Sequence, residues 1–133
     1  MSNLVGALIA RDECLALLKT SRLGRVSVSV DALPAILPVN YVINGESILF
    51  CASGGGDLYR ATVGLVVAFE VDENDSVGYL EWSVLVRGIA FDITEDAEFG
   101  LGRPLCFNLW PPGEQADRFI VIPTTIISGR RFV

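Results

Sequence analysis

The sequence predicts a mostly β protein, built as a small antiparallel barrel or sandwich with a few short helices. About six apolar segments carry strand-type patterns, and turn signals separate them roughly every ten residues. Apolar residues make up 51% of the chain against 20% charged residues, which excludes a disordered chain. The 133 residues fit one domain, 1–133, and a domain of this size buries roughly two-thirds of the surface that its unfolded chain exposes.

The first half of the chain contains a helix followed by three strands. Residues 12–19 predict a helix, because acidic residues open it and a lysine lies near its end. Valine alternates with arginine or serine over residues 25–30, which predicts a strand with one solvated face. Residues 36–43 predict a second strand, and Asn44-Gly45 predicts a hairpin that returns through residues 47–51.

The second half opens with a glycine-rich loop at residues 53–56, and the helix predicted after it has about two turns and ends at Gly64. Residues 65–71 are nearly all apolar, which predicts a strand buried on both faces. Residues 82–93 form one long predicted strand, in which Gly88 marks a bulge or bend. Residues 94–98 offer caps for a short helical stretch, and residues 118–123 form the last predicted strand.

Charge and composition exclude several functions. A net charge of −6 disfavours nucleic acid as a partner. No apolar run approaches the ~20 residues that span a bilayer, and the start lacks the basic region of a signal peptide, so we expect a cytoplasmic protein without a membrane partner. The chain has no histidine, which excludes Ser-His and Cys-His catalysis and histidine-ligated zinc or haem. Cys14, Cys51 and Cys106 show no CxxC spacing and are predicted to be reduced, buried thiols.

An ordered set of segments covers nearly the whole chain and resembles the FMN-binding split-barrel family related to pyridoxamine 5'-phosphate oxidase. The segments are Glu13-Cys14-Leu15, Gly24-Arg25-Val26, residues 37–42, Phe50 before the glycine-rich loop and Leu58, residues 67–72, residues 82–88 and residues 127–132. The resemblance implies a six-stranded antiparallel split barrel. It also implies a homodimer with FMN at the subunit interface, and a barrel this apolar is expected to keep an apolar patch that a second copy covers.

The resemblance also implies where the flavin phosphate binds. In that family a strand that ends in an arginine and a threonine, with a lysine shortly after it, usually holds the phosphate. By alignment Cys51, Ala52 and Asp57 take the places of the arginine, the threonine and the lysine, so two cationic positions have become a thiol and an anion. Ser53, the amides of the glycine loop and Arg60 remain as anion-binding groups. The alternative is a plain turn that Asp57 caps.

The flavin ring, by the same resemblance, lies against residues 38–41. Asn40 is costly to bury without a partner, which indicates either a polar contact to a ligand or pairing with neighbouring backbone. Trp82 and Ser83 match the family's Trp-Ser opening of the long strand, although a tryptophan there is also typical of core or interface packing. The implied flavin contacts are Pro38, Val39, Asn40, Tyr41, Cys51, Ala52, Ser53, Asp57, Leu58, Trp82 and Ser83.

Two functions follow from these residues. The first is an FMN- or deazaflavin-dependent oxidoreductase, in which the cofactor supplies the redox chemistry and no catalytic side chain is required. The second is a dimeric split barrel without a cofactor, which serves as a small-molecule-binding or structural module. Asn40-Tyr41 and Trp82-Ser83 favour the first function, whereas Cys51, Ala52 and Asp57 favour the second. No metal ligand set is predicted.

Overall fold

A computed structural model describes residues 6–95 and 116–132. Within these residues the chain forms ten strands and two helices. They are β1 (Ala7–Ile9), α1 (Arg11–Leu18), β2 (Leu23–Val30), β3 (Leu33–Asn40), β4 (Val42–Asn44), β5 (Ser47–Ala52), α2 (Asp57–Thr62), β6 (Val66–Asn74), β7 (Leu80–Ile89), β8 (Phe91–Asp92), β9 (Arg118–Pro123) and β10 (Ile126–Arg131). The large sheet has the order β1-β10-β7-β6-β2-β3 and the small sheet the order β4-β5-β9-β8. The ladders between these strands are antiparallel, which confirms the predicted fold class.

The chain changes sheet at two single residues, which explains why six predicted strands become ten in the described residues. β3 in the large sheet gives way to β4 in the small sheet at Tyr41, and β7 gives way to β8 at Ala90. Both residues are fully buried between the sheets. The predictions of single strands over 36–43 and 82–93 were therefore wrong. Gly88 lies inside β7, so the bend predicted there occurs two residues later.

The core lies between the two sheets. Alternate residues of β2, β6 and β7 point into it, and they meet β5 and β9 of the small sheet, while α1 closes one side with Cys14 and Leu18. Its largest fully buried side chains include Tyr41, Phe50, Phe69, Ile48, Ile120, Ile122, Val26, Val71, Val84 and Val86.

Strand β6 differs from its prediction. Its buried positions alternate with partly exposed ones, and its ends are exposed, so the expectation that it is buried on both faces was wrong. Its outer face carries Val66, which is 74% exposed, and Glu70. The apolar run over residues 65–71 thus predicted burial of both faces of β6, whereas the outer face is left uncovered in a single chain.

Two tight hairpins shape the ends of the strands. The hairpin predicted at Asn44-Gly45 is confirmed, although Asn44 pairs with Ser47 and the loop residues are Gly45 and Glu46. Gly45 has φ +64°, which costs a glycine little. The β2–β3 hairpin instead places Asp31 and Ala32 at φ +52° and +66°, a conformation that strains alanine.

The cysteines differ from one another. Cys14 is a free, buried thiol, as predicted. Cys51 takes part in a disulfide, so the prediction of a reduced thiol was wrong there. Cys106 and most of the helical stretch predicted at 94–98 lie outside the described residues. In the part of the chain that the structure describes, no helix is long and apolar enough to cross a membrane.

Candidate functional site

The glycine-rich loop after β5 is fastened to the first residues of β9. Ala52 pairs with Arg118 across the ladder, and the Gly54 amide donates to Asp117 Oδ1 at 2.8 Å. A side chain at Gly54 would lie 3.1 Å from Arg118 Cγ, so the loop backbone packs on the stem of this arginine. The Gly56 amide donates to the Ser53 carbonyl at 3.0 Å, which closes the turn. The two amides are thus already engaged within the chain.

Helix α2 follows this loop at once. Gly56 holds the cap position and Asp57 is the first helical residue, so the alternative interpretation of Asp57 as the cap was wrong. The Asp57 carboxylate instead pairs with Arg60 at 2.6 Å, and Arg60 Nη1 donates to the Gly55 carbonyl at 2.7 Å. The side chains of Asp57 and Arg60 are 85% and 66% exposed, so the guanidinium is folded back on the loop at the surface.

An open cleft of about 290 Å³ lies between the end of β2 and α2. Its lining residues are Ser29, Val30, Asp31, Asp57, Arg60 and Ala61. Ligand sites usually measure roughly 300–1,000 Å³ and enclose most of their ligand. This open cleft lies just below that range, so one chain alone does not enclose a ligand there.

A connected polar cluster lies on the small sheet beside the loop. Arg118 Nη2 and Nε contact Asp92 Oδ2 at 2.7 and 2.9 Å, and the Tyr59 hydroxyl of α2 donates to the same oxygen at 2.7 Å. Thr94 Oγ1 donates to Asp92 Oδ1 at 2.6 Å. Arg118 Nη1 also reaches Glu95 at 3.3 Å.

The electrostatics of this cluster favour the ionised carboxylate. Burial alone would raise the pKa of Asp92, but hydrogen bonds from Thr94, Tyr59 and Arg118 outweigh it and lower that pKa to about 2. Sequence reasoning missed Tyr59 and Arg118. The only local signal was an arginine at the start of the last predicted strand, and no pattern joined it to Asp92.

The predicted ring-binding segment lies at the end of β3. Pro38 is exposed, whereas Val39 is buried at 3% exposure. The Asn40 side-chain amide donates to the Arg22 carbonyl at 3.2 Å, so it has the backbone partner that one interpretation required. Tyr41 is fully buried, and its hydroxyl donates to the Leu18 carbonyl at 2.5 Å. The Tyr41 amide also donates to the Arg22 carbonyl at 2.9 Å, so within one chain neither the side chain nor the amide of Tyr41 is open to a ligand.

The predicted Trp-Ser pair divides between the two faces of the large sheet. Trp82 points inward and is 4% exposed, as a core residue. Ser83 points outward and donates to Glu70 Oε2 at 3.0 Å. Arg25 lies 3.4 Å from both Glu70 and Asp72. Burial, a hydrogen bond with Asp72 and the charge of Asp72 raise the pKa of Glu70 to about 7 against the opposing effects of Ser83 and Arg25.

The structure thus brings the predicted residues into two groups. Ala52, Ser53, Asp57 and Leu58 gather at the loop and the start of α2. Pro38 pairs with Arg25, and Arg25 pairs with Glu70, so β3 shares its outer face with the neighbourhood of Ser83.

The side chain of Cys51 joins neither group. It packs with Leu49 and Phe119 on the opposite face of the small sheet. The described residues contain no group of three or more cysteine, aspartate or glutamate side chains placed to hold a metal ion.

Three comparisons with known proteins cover nearly the whole chain. The uncharacterized protein Rv0080 of Mycobacterium tuberculosis is 34% identical over 129 residues, which span 92% of this chain and 83% of that protein. The FAD binding protein of Mycobacterium smegmatis has a TM-score of 0.77 and 32% identity, and the match covers 95% of this chain and 98% of that one. A FAD-binding protein of Mesorhizobium loti has a TM-score of 0.71 at 22% identity, with 93% and 94% covered, which shows the shared fold.

A family model agrees with these comparisons. The model described as pyridoxamine 5'-phosphate oxidase matches residues 10–131, from the residue before α1 to the end of β10. The matched range includes the loop after β5, the end of β3 and the outer face of β7. Because almost the entire chain matches, this protein belongs to the pyridoxamine 5'-phosphate oxidase family.

Proposed function

We propose that this protein is a flavin-binding homodimer, with a flavin held between the two subunits. The observation that carries the proposal is the match over 95% of the chain, at 32% identity, to a FAD binding protein. The family match over residues 10–131 includes both groups of predicted site residues, which supports a flavin site built from them. A bound flavin would supply hydride or electron transfer, and the oxidoreductase activity that we propose rests on this chemistry.

The outer face of the large sheet supports the dimer. Ile36, Ile126 and Arg87 lie in one row of that face, and Val66 pairs with Ile89 in the next row. Ile36, Val66 and Ile126 are 66%, 74% and 56% exposed. Branched apolar side chains on a sheet face favour burial against another surface, and a two-fold partner is the commonest solution.

The chain's own residues fit a flavin unevenly. The edge strand β3, with Pro38 exposed and Asn40 partly exposed, offers a partly apolar surface for a ring. The loop at Ser53 and the cleft beside α2 offer a place for the ribityl chain and the groups beyond it. The two arginines there, Arg60 and Arg118, are both paired with carboxylates. The ring end therefore fits well and the phosphate end fits poorly.

A binding experiment tests the flavin. Purified protein is titrated with FAD, FMN, riboflavin and a deazaflavin while flavin fluorescence and the visible spectrum are recorded. We expect at least one of these to bind in the micromolar range, with one flavin per chain. Absence of binding at millimolar concentration of every flavin would overturn the proposal.

A pair of variants tests the dimer. Val66 on the sheet and Val77 in the β6–β7 turn are 74% and 77% exposed, so they are matched in accessibility. We expect V66D to reduce a particle of twice the 14.4 kDa chain mass to a monomer in light scattering, because it buries a charge in the interface. V77D should leave the dimer intact. A wild-type monomer at micromolar concentration contradicts the dimer directly.

One observation favours a second candidate, the split-barrel dimer without a cofactor. The anion-binding groups of the loop are engaged by Asp117 and Asp57 of the chain itself. A dimer that binds none of the flavins would support this module over the flavoprotein.

A further inference from the structure

The loop after β5 holds carboxylates of its own chain where it could hold a phosphate. The Gly54 amide donates to Asp117 Oδ1 at 2.8 Å, across 63 residues of sequence. Arg60 Nη2 donates to Asp57 Oδ1 at 2.6 Å. A backbone amide in a glycine-rich turn and a nearby guanidinium are typical ligands of a phosphate group. Here each of them already has an anion.

The charged residues around the loop also disfavour a bound anion. Asp31 and Asp57 line the cleft beside α2, and the only arginine among its lining residues in the described structure is Arg60. Arg118, which packs under Gly54, contacts Asp92 and Glu95. Among the described residues, the charged groups around the loop are five carboxylates and two guanidinium groups, namely Asp31, Asp57, Asp92, Glu95 and Asp117 with Arg60 and Arg118. Their net charge is therefore about −3, which repels an incoming anion.

We infer that Asp57 and Asp117 are specificity-determining residues, which reject a terminal phosphate monoester at this loop and so make the protein select FAD over FMN. This inference rests on the proposed flavin function. The monoester of FMN carries nearly two negative charges at neutral pH, whereas each phosphate of the FAD pyrophosphate carries about one. FAD thus spreads a similar total charge over two phosphates, whereas FMN concentrates it on one, so we expect the repulsion at the loop to be larger for FMN.

Flavin titrations of matched variants test the preference. Asp57→Asn and Asp117→Asn keep the size of each side chain and remove its charge. Asp75→Asn is the control, because Asp75 also accepts backbone amides. It follows the last residue of β6, about 27 Å along that strand from Val66, which is the end of β6 that comes after α2. Riboflavin, which has no phosphate, corrects for changes that affect the ring alone.

We expect the wild type to bind FAD at least ~10-fold more tightly than FMN. In the D57N/D117N variant, FMN binding should tighten at least ~10-fold relative to riboflavin, because two charge-assisted contacts become available to the phosphate. D75N should leave this ratio unchanged. Equal affinity of the wild type for FMN and FAD, or an unchanged ratio in the double variant, would overturn the inference.

A second measurement separates this inference from the proposed function. Inorganic phosphate, compared with chloride at equal ionic strength, should raise the Tm of D57N/D117N and leave that of the wild type unchanged. If no protein binds any flavin, the flavoprotein and the FAD preference both fail. A phosphate-dependent rise in the double variant would then still show that the two carboxylates block an anion site. Absence of that rise would remove the blocking role as well.

Discussion

Two of the carboxylates that contact an arginine, Asp92 and Glu70, have pKa values that their surroundings shift in opposite directions. Asp92, on the small sheet, receives hydrogen bonds from Tyr59, Thr94 and Arg118, and its pKa falls to about 2. Glu70, on the outer face of the large sheet, has Arg25 at 3.4 Å, and its pKa rises to about 7.

Burial raises the pKa of both carboxylates and is the largest cause of the rise at Glu70, whereas at Asp92 the hydrogen-bond donors outweigh it. Asp92 has three side-chain donors, and the carboxylate is therefore held in its charged form. Glu70 has Ser83 as a donor, but Asp72 on the same strand shares Arg25 with it, so two carboxylates compete for one guanidinium. An arginine within contact distance therefore does not by itself hold a carboxylate in its charged form, because burial, neighbouring charges and the number of donors together set the direction of the pKa shift.

The largest expected effect on stability comes from removing the charge of Asp92, which accepts hydrogen bonds from Tyr59, Thr94 and Arg118. Asp92→Asn should lower the free energy of unfolding by about 2–3 kcal/mol, because it leaves a partly buried guanidinium without its main partner. Urea denaturation at pH 7 measures it. Asp75→Asn serves as the control, since Asp75 accepts two backbone amides without an arginine and should cost about 1 kcal/mol or less. Equal losses in the two variants would contradict the comparison.

The pH dependence of Glu70 is the next effect. Its pKa in the folded protein is about 7 against an ordinary value of 4.5, so the folded state binds more protons than the unfolded state between these values. The contribution of Glu70 to stability is therefore complete below about pH 4.5 and is lost as the pH rises through 7. Glu70→Gln should remove this fall and should exceed the wild type in stability by on the order of 1–2 kcal/mol at pH 8, with little difference at pH 5. Parallel pH profiles of the two proteins would show that Glu70 does not titrate in this range.

The lowered pKa of Asp92 also predicts a loss of stability at acid pH. Its pKa is lowered from 3.8 to about 2, so its contribution to stability is complete above pH 3.8 and disappears as the pH falls through 2. Tyr59→Phe removes one donor and should raise the pKa of Asp92 towards its ordinary value. The pKa of Asp92 in both proteins is measured from the NMR shift of its carboxyl carbon across the acid pH range. An unchanged titration midpoint would mean that Arg118 and Thr94 alone hold the carboxylate.

The smallest effect concerns the exposed pair on α2. Arg60→Gln should change the free energy of unfolding by about 0.3–0.5 kcal/mol, because solvent screens a surface pair of this spacing. Added salt should erase even this difference. A loss as large as that of Asp92→Asn would show that Arg60 supports the loop structurally rather than through its charge.

Much of the fold could be predicted from local patterns. The alternation over residues 25–30 placed Val26 and Val28 on the core face of β2, and both are buried. The hairpin at Gly45 and the helix predicted over residues 12–19, which the structure shows as α1 (Arg11–Leu18), also follow from short-range chemistry. The strand predictions over residues 36–43 and 82–93 were wrong at Tyr41 and Ala90, because each continuous apolar run is divided there between two sheets. Strand periodicity records which face a residue occupies, but it does not record the sheet to which the strand belongs.

The site could be predicted only in outline. The ordered segments led to the correct family. The structure places the loop directly before α2 and leaves Pro38 exposed near the end of β3, while the flavin contacts implied for these segments stay a prediction. The contacts that give the loop its charge come from residues far along the chain. Asp117 meets Gly54 from 63 positions away, and Arg118 meets Asp92 from 26. No local pattern connects such positions, so Tyr59 and Arg118 went unnoticed.

The sequence by itself determined the composition-level limits, the β class, the family and the absence of histidine chemistry. Each of these depends on residue types and on neighbours within a few positions, which the chain carries in one dimension. Only the tertiary structure decided that Tyr41 and Trp82 belong to the core, that Cys51 faces away from the loop, and that Asp117 and Asp57 hold the loop's anion-binding groups. These outcomes depend on antiparallel pairing between distant strands, because the register of each ladder sets which side chains meet.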